Sequence, residues 1–145
     1  MRHDRCIGFI LAVGMAGCTS ADALRSYVEP VPQVDEAKLG GVIADYMKDT
    51  YPAAKTTLVL IPPADRQSDN PFTNSLMQSL SHAGFGLADP TTTADGPNYH
   101  RFSYYVTAFD GGVLVRLTVD DHQATRCYIQ DSRGLVPATP LTLGN

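Results

Sequence analysis

Long apolar runs, basic runs and catalytic motifs are all missing from this sequence. The uncharged N-terminal run, residues 6–17, has 12 residues, whereas a membrane-spanning helix needs roughly 20. The chain has 11 Lys and Arg against 15 Asp and Glu, which argues against nucleic-acid binding. It has no G-x-S-x-G, no phosphate-binding loop, no dinucleotide fingerprint and no paired metal-ligand spacing. We therefore predict no enzyme activity, no cofactor, no metal site and no small-molecule substrate.

Cysteine is scarce, with only Cys6, Cys18 and Cys127 in 145 residues. If the chain is cut before Cys18 and Cys18 is acylated, Cys127 is the one remaining thiol and no internal disulfide can form. Cys127 is then either buried and inert or paired with another chain. Burial is favoured, because free cysteines are among the most buried residues.

The N-terminus has the charged, apolar and small-residue order of a secretory signal. Arg2 and Arg5 precede the uncharged run, which ends in Met15-Ala16-Gly17-Cys18. That ending resembles the lipobox of bacterial lipoproteins, in which the cysteine is acylated. We predict a lipoprotein signal peptide at 1–17 and a palmitate-bearing lipid anchor on Cys18. An ordinary signal peptide cut near Ala16 or Ala21 is the alternative.

The segment after the anchor is predicted to be a flexible tether. Residues 18–33 include Pro30 and Pro32 and show little apolar periodicity. Thr19 follows the cysteine where an Asp would favour retention at the inner membrane, so the pattern resembles that of outer-membrane lipoproteins. Removal of the signal leaves 9 basic and 14 acidic residues, a net charge of −5. We expect one acidic periplasmic domain at 34–145, lipid-anchored at the outer membrane.

Two amphipathic helices are predicted in this domain. The first has Asp35 as N-cap and ends before Pro52. Gly40 and Gly41 weaken it by about 1 kcal/mol each relative to alanine, so it depends on docking. Its apolar stripe has helical spacing and consists of Leu39, Val42, Ile43, Tyr46 and Met47.

The second helix is predicted from its end signals. Asn70 and Pro71 suit the N-cap and first helical positions, and Gly84 suits the position just past the C-terminus. His82 lies near that end, where a cation favours the helix dipole. We read it as structural rather than functional.

Five strands and an extended tail complete the prediction. Residues 56–61 form a central strand and 85–88 a short one, followed by a meander of 101–109, 113–119 and 124–129 with a hairpin turn at 110–112. The tail after residue 134 is Pro-rich. The order α-β-α-β-β-β-β indicates an α+β fold, with two helices on one face of a mixed, mostly antiparallel sheet. The core is expected to include Leu39, Ile43, Leu76, Leu80, Val115 and Leu117.

Two polar or aromatic clusters have competing interpretations. Asp120-Asp121-His122 could hold a metal, but consecutive strand residues point to opposite faces, so a polar turn is favoured. His100 is read as strand-edge polarity. The second cluster is aromatic and consists of Tyr99, Phe102, Tyr104, Tyr105 and Phe109. Cross-strand packing suits it better than RNA stacking, and exposed members would mark a protein interface.

The whole pattern resembles the TrbH family of conjugal transfer proteins. The likeness is carried by Ala16-Gly17-Cys18 and by residues 49–54, 72–80, 84–87 and 126–138. It implies a structural lipoprotein of a conjugative type IV secretion apparatus, used in mating-pair formation and in contact with other core proteins. A free periplasmic lipoprotein that regulates an envelope enzyme or assembly is the alternative. The Pro-rich tail is the favoured contact surface and a sheet edge the second choice.

Overall fold

The computed structural model describes residues 25–31, 34–63, 70–91 and 96–144. The predicted signal peptide and Cys18 lie outside the described residues. Two helices are present in these ranges, α1 (Glu36–Thr50) and α2 (Pro71–His82). The strands are β1 (Tyr27–Val28), β2 (Thr57–Leu60), β3 (Gly86–Ala88), β4 (Tyr99–Phe109), β5 (Gly112–Val119), β6 (His122–Asp131), β7 (Gly134–Pro137) and β8 (Thr142–Gly144).

The eight strands form one mixed sheet in the order β3-β2-β4-β5-β6-β7. Strand β1 also pairs with β4, and β8 also pairs with β6. Three pairs of strands are parallel: β1–β4, β2–β3 and β2–β4. The other four are antiparallel: β4–β5, β5–β6, β6–β7 and β6–β8. The predicted α+β class, with two helices on a mostly antiparallel sheet, is confirmed.

Helix α1 begins and ends where the sequence predicts. The Asp35 carboxylate accepts hydrogen bonds from the backbone N–H groups of Ala37 and Lys38, at 3.1 and 3.2 Å. These bonds satisfy donors that have no partner inside the helix. Pro52 follows the C-cap residue, Tyr51. The stripe predicted for α1 is buried at Leu39, Ile43 and Met47 and half-buried at Val42 and Tyr46.

Helix α2 also confirms its predicted end signals. The Asn70 side chain accepts a hydrogen bond from the backbone N–H of Phe72 at 2.8 Å, and Pro71 occupies the first turn. Gly84 has a φ of 97°, a left-handed conformation that glycine adopts without steric cost. His82 lies in the last turn, as predicted.

The two helices meet at a close approach around Gly40. A Cβ on this residue would lie 3.2 Å from the backbone nitrogen of Leu76, whereas a Cβ on Gly41 would meet nothing within 4 Å. Gly40 therefore lets α1 approach the backbone of α2. All six residues predicted for the core are buried, which confirms the helix and strand faces: Leu39, Ile43, Leu76, Leu80, Val115 and Leu117.

The β4–β5 hairpin turns at Asp110 and Gly111, as predicted. Both residues have positive φ, 40° and 77°, which suits the tight turns that match strand twist. Gly112 opens β5 next to the turn. A Cβ there would lie 2.1 Å from the carbonyl oxygen of Tyr128, so this position requires glycine for the close approach of β6.

The segment predicted as tether enters the fold earlier than expected. Strand β1 pairs with β4, and Ser26 and Val28 are buried. The Ser26 hydroxyl donates to the carbonyl of Ile61 at 2.6 Å and accepts from the backbone N–H of Tyr104 at 3.2 Å. We expected the domain to begin at residue 34. A two-residue strand that pairs far along the chain leaves no periodic signal in the sequence.

The tail predicted to be extended forms strands at the edge of the sheet, so it is a paired part of the fold. Strand β7 pairs with the second half of β6 and β8 with the first half. Between them, Thr139 accepts a hydrogen bond on its hydroxyl from the backbone N–H of Cys127 at 3.0 Å. The prolines suggested an unpaired segment, but an edge strand tolerates a residue that cannot donate when that position faces away from its neighbour.

Candidate functional site

Alternation along β4 divides its aromatic residues between the two faces of the sheet. Phe102 and Tyr104 are buried on the face that carries the helices. Tyr104 packs edge-on against Phe72 of α2, with ring centroids 5.3 Å apart. Tyr105 and Phe109 point to the opposite face and are 40% and 53% exposed. The buried Tyr104 therefore packs on a helix, whereas the cross-strand packing expected of this cluster occurs between Tyr105 and Tyr27 of β1. Tyr105 and Phe109 are the exposed members expected to mark an interface.

The first candidate surface is the aromatic part of the sheet face that lies away from the helices. We call it the open-face patch and define it as Tyr27, Tyr105, Phe109, Arg116 and Ile129. Tyr27 stacks on Tyr105 at 5.1 Å between centroids, and the Arg116 guanidinium lies 5.7 Å from the Tyr105 ring centre. Phe109 and Ile129 lie on either side of Gly112 in the register.

A carboxylate at the border of this patch is hydrogen-bonded to residues of β4. Glu29 accepts a hydrogen bond from the hydroxyl of Thr107 and a second from the backbone N–H of Ala108, at 3.2 Å. The Thr107 bond first, and then the Ala108 bond, lower the pKa of Glu29 below its usual value. The Glu29 carboxylate is therefore held against the sheet by hydrogen bonds and does not project freely at the patch.

The second candidate surface lies on the helix side, at the other end of the strands. A groove of about 230 Å³ runs between the end of α1 and the β6–β8 edge. Tyr46 and Tyr51 form one wall and His122 and Leu143 the other. Leu143 pairs with the buried Ala124, so it points to the helix side, yet it is 69% exposed. We call this the C-terminal groove.

A polar pair lies beside the C-terminal groove. Asp120 has a positive φ of 53°, and its carboxylate accepts from the backbone N–H of Arg101 at 2.9 Å. The same carboxylate lies 2.7 Å from Nδ1 of His100, whose ring packs 5.3 Å from that of Tyr51. Asp120 thus holds the β5–β6 turn to β4, which fits the predicted polar turn. His100 lies on β4 beyond the stretch that pairs with β5, as expected of a strand-edge residue, and its side chain also links this turn to the end of α1.

The remaining predicted residues are placed as follows. Cys127 is buried and its thiol forms no disulfide within the described residues, so the buried interpretation is confirmed. Within the described residues no group of three His, Cys, Asp or Glu side chains converges to hold a metal. In the same part of the chain, neither helix is long and apolar enough to cross a membrane. Cys18 has no described position, so its acylation stays a prediction.

Comparison with known families decides the broad assignment. A family model described as conjugal transfer protein TrbH matches residues 19–145. The chain belongs to the TrbH family. The match spans all of the given chain after the predicted lipobox, so the family resemblance inferred from the sequence is confirmed. No curated protein and no solved structure matches the chain.

Sequence reasoning did not anticipate the C-terminal groove in this TrbH-family fold. The alternation of Leu141, Thr142 and Leu143 is a weak strand signal that the neighbouring Pro140 obscures. The groove also needs β8 to pair beside the end of α1, two segments nearly a hundred residues apart. Local patterns carry no information about such a meeting.

Proposed function

We propose that this TrbH-family protein is a lipid-anchored structural part of a conjugative type IV secretion apparatus. It acts in mating-pair formation by contact with other core proteins of that apparatus, from the periplasmic side of the outer membrane. The family match over residues 19–145 is the observation that carries this proposal. The alternative, a free periplasmic lipoprotein that regulates an envelope enzyme, has no separate observation in its favour.

The anchor would hold the domain close to the membrane. Only seven residue steps separate Cys18 from Arg25, where the described fold begins. At ~3.4 Å per residue the chain spans at most about 24 Å, roughly half the reach expected for a tether that ran to residue 33. A domain held this closely has limited freedom to turn, so its exposed surfaces face defined directions.

The C-terminal groove is the surface that we assign to the protein partner. Its volume of about 230 Å³ is below the roughly 300–1,000 Å³ of typical small-molecule pockets. It suits one or two apolar side chains of another protein. Leu141 and Leu143 are exposed beside it, on the segment that sequence reasoning favoured as the contact. We thus propose that this segment contacts the partner as a paired strand and not as an unpaired tail.

Strand addition at a sheet edge is the weaker mode of contact. Strand β3 at one edge has only three residues, and β7 and β8 at the other are separated by a segment that contains Pro140. Short and interrupted edges resist pairing with another strand. Contact through side chains at the groove avoids this restriction. The proposal involves no catalysis, no cofactor, no small-molecule substrate and no nucleic acid.

A pair of neighbouring substitutions tests the proposed contact. Leu143→Asp places a charge on the groove side, and Thr142→Asp places the same charge one residue earlier, on the other side of β8. Both residues are exposed, so both variants should fold. We expect Leu143→Asp to lower co-purification with transfer proteins and mating frequency at least about tenfold, the effect of losing ~1.4 kcal/mol.

The control decides between the proposed function and its alternative. Thr142→Asp should co-purify with the transfer proteins like the wild type, which would locate the loss of contact on the groove side. If Leu143→Asp behaves like Thr142→Asp, the groove is not the contact. If a strain that lacks the protein still mates normally, the protein is no part of the transfer apparatus and the regulatory alternative gains support.

A further inference from the structure

The open-face patch lies on the face of the sheet that neither helix covers. Tyr27, Tyr105, Phe109 and Ile129 are each between 39% and 53% exposed. Four large, partly exposed side chains on one sheet face mark a candidate interaction surface, because the largest apolar patch of a soluble monomer is often functional. No described element of the chain lies over them.

The start of the fold lies beside this patch. Tyr27 is a patch residue, and the backbone next to it leads back to Cys18 over nine residue steps. At ~3.4 Å per step, Tyr27 cannot be more than about 31 Å from Cys18. The parallel register of β1 with β4 then places Tyr105 next to Tyr27. An anchor on Cys18 would therefore hold the patch near the lipid surface.

The chemistry of the patch suits the interfacial region of a bilayer. Tyr27 and Tyr105 combine an apolar ring with a polar hydroxyl, as do the tyrosines that line membrane interfaces. The guanidinium of the exposed Arg116 lies over the Tyr105 ring and supplies a positive charge that suits headgroup phosphates. The Glu29 carboxylate at the border accepts hydrogen bonds from the Thr107 hydroxyl and the Ala108 backbone N–H. With a net charge of −5 for the mature chain, zwitterionic lipid fits better than anionic lipid.

We propose that the open-face patch rests on the bilayer surface to which Cys18 is anchored. This inference depends on the proposed lipid anchor. The C-terminal groove lies on the opposite side of the sheet and at the opposite end of β5, since Phe109 pairs with Gly112 and His122 with Val119. A domain that lies on its open face would turn the groove away from the lipid and towards the apparatus.

Hydroxyl-radical footprinting on a chemically anchored chain tests this orientation. A chain that begins at Cys18, in a Cys127→Ser background, is coupled through the Cys18 thiol to a maleimide lipid in phosphatidylcholine vesicles. The same chain with a capped thiol, mixed with plain vesicles, is the reference. We expect oxidation of Tyr27, Tyr105 and Phe109 to slow several-fold on anchoring, whereas oxidation of Leu143 should not change.

The outcomes separate the lipid from other occupants of the patch. Unchanged oxidation of the three aromatic residues, or protection of Leu143 in their place, overturns the proposal. Protection that fades as the anchored protein is diluted over more vesicles shows that a second copy covers the patch, and this also overturns it. Because the anchor is chemical, the vesicle result does not depend on acylation in cells. Absence of palmitate from the cellular protein would instead overturn the proposed function.

Substitutions of two exposed residues, one in the patch and one at the groove, provide a matched test of the patch itself. Phe109→Asp places a charge in the open-face patch, and Leu143→Asp places one on the groove side. We expect Phe109→Asp to abolish the protection of Tyr27 and Tyr105 without a change in melting temperature. Leu143→Asp should keep that protection. Equal protection in the two variants would contradict a lipid contact at Phe109.

Discussion

At the scale of single residues, two adjacent glycines of α1 have opposite roles. Alanine in place of an exposed helical glycine stabilises a helix by about 0.5–1 kcal/mol, and Gly41 has open space for a Cβ. A Cβ on Gly40 would press on backbone atoms of Leu76 and Ser75, at 3.2–3.3 Å. We expect Gly41→Ala to raise the free energy of unfolding in urea and Gly40→Ala to lower it. Equal stabilisation by both would mean that the helices do not approach closely at Gly40.

A buried hydroxyl pair gives a second prediction at this scale. The hydroxyl groups of Thr73 and Tyr104 lie 2.5 Å apart in the core. Tyr104→Phe leaves the Thr73 hydroxyl without this partner, which costs about 1–3 kcal/mol when the group is buried. Urea unfolding at pH 7 measures the loss. No loss would show that the Thr73 hydroxyl finds another partner.

The same tyrosine predicts a loss of stability at alkaline pH. Burial raises the pKa of Tyr104 above its ordinary value of 10.0, and the Thr73 hydrogen bond opposes part of that rise. Above pH 10 the unfolded chain loses this proton before the folded chain does, so the free energy of unfolding falls as pH rises. Tyr104→Phe should reduce the slope between pH 10 and 11. Tyr51 and Tyr128, whose pKa values burial also raises, should leave part of it.

At the scale of elements, the C-terminal segment is part of the fold and not a free tail. Removal of residues 138–145 would delete β8 and the two hydrogen bonds that Thr139 accepts from Arg126 and Cys127. We therefore expect this truncation to lower the melting temperature. A melting temperature equal to that of the full chain would show that the segment contributes nothing to stability.

A milder pair of variants isolates the bond in that segment. Thr139→Val keeps the shape of the side chain but removes the acceptor of the Cys127 backbone N–H. Its cost should be about 1 kcal/mol. Thr142→Val changes a hydroxyl that makes no hydrogen bond within the described residues and should be nearly neutral. Comparison of the two in urea unfolding checks the assignment, and equal effects would contradict it.

The elements that sequence reasoning found have strong local signals. Asp35, Asn70 with Pro71, and Gly84 determine helix ends through short-range hydrogen bonds and backbone preferences, so their neighbours suffice to identify them. Strand β1 and strand β8 could not be found in this way. They are two or three residues long, and they form because β4 and β6 offer unpaired backbone groups at those places.

The surfaces were predictable only in part. Alternation along β4 places Tyr105 and Phe109 opposite Phe102 and Tyr104, but only the positions of the helices determine which pair is buried. The C-terminal groove depends on β8 and was not predictable. The chemistry of Cys18 rests on the sequence alone, because the structure describes nothing before Arg25.

At the scale of the whole molecule, two apolar surfaces lie on opposite sides of one sheet, and the first described residues, at β1, lie beside one of them. A lipid-anchored domain in a conjugation apparatus accounts for both surfaces. The open-face patch would meet the membrane, and the C-terminal groove would meet the apparatus. Each arrangement depends on the anchor, because a domain released into the periplasm would have no fixed direction.

Mating frequency with and without the Cys18 thiol, the predicted site of acylation, tests this account most directly. A donor strain that lacks the protein is complemented with the wild type or with Cys18→Ser, and both proteins are labelled with radioactive palmitate. One acyl chain binds membranes only marginally and several bind firmly, so the wild type should be labelled, sediment with membranes and restore mating. Cys18→Ser should carry no label, leave the membrane fraction and fail to restore mating, although it folds. Full mating by an unlabelled Cys18→Ser protein, or palmitate that persists in this variant, would contradict the account.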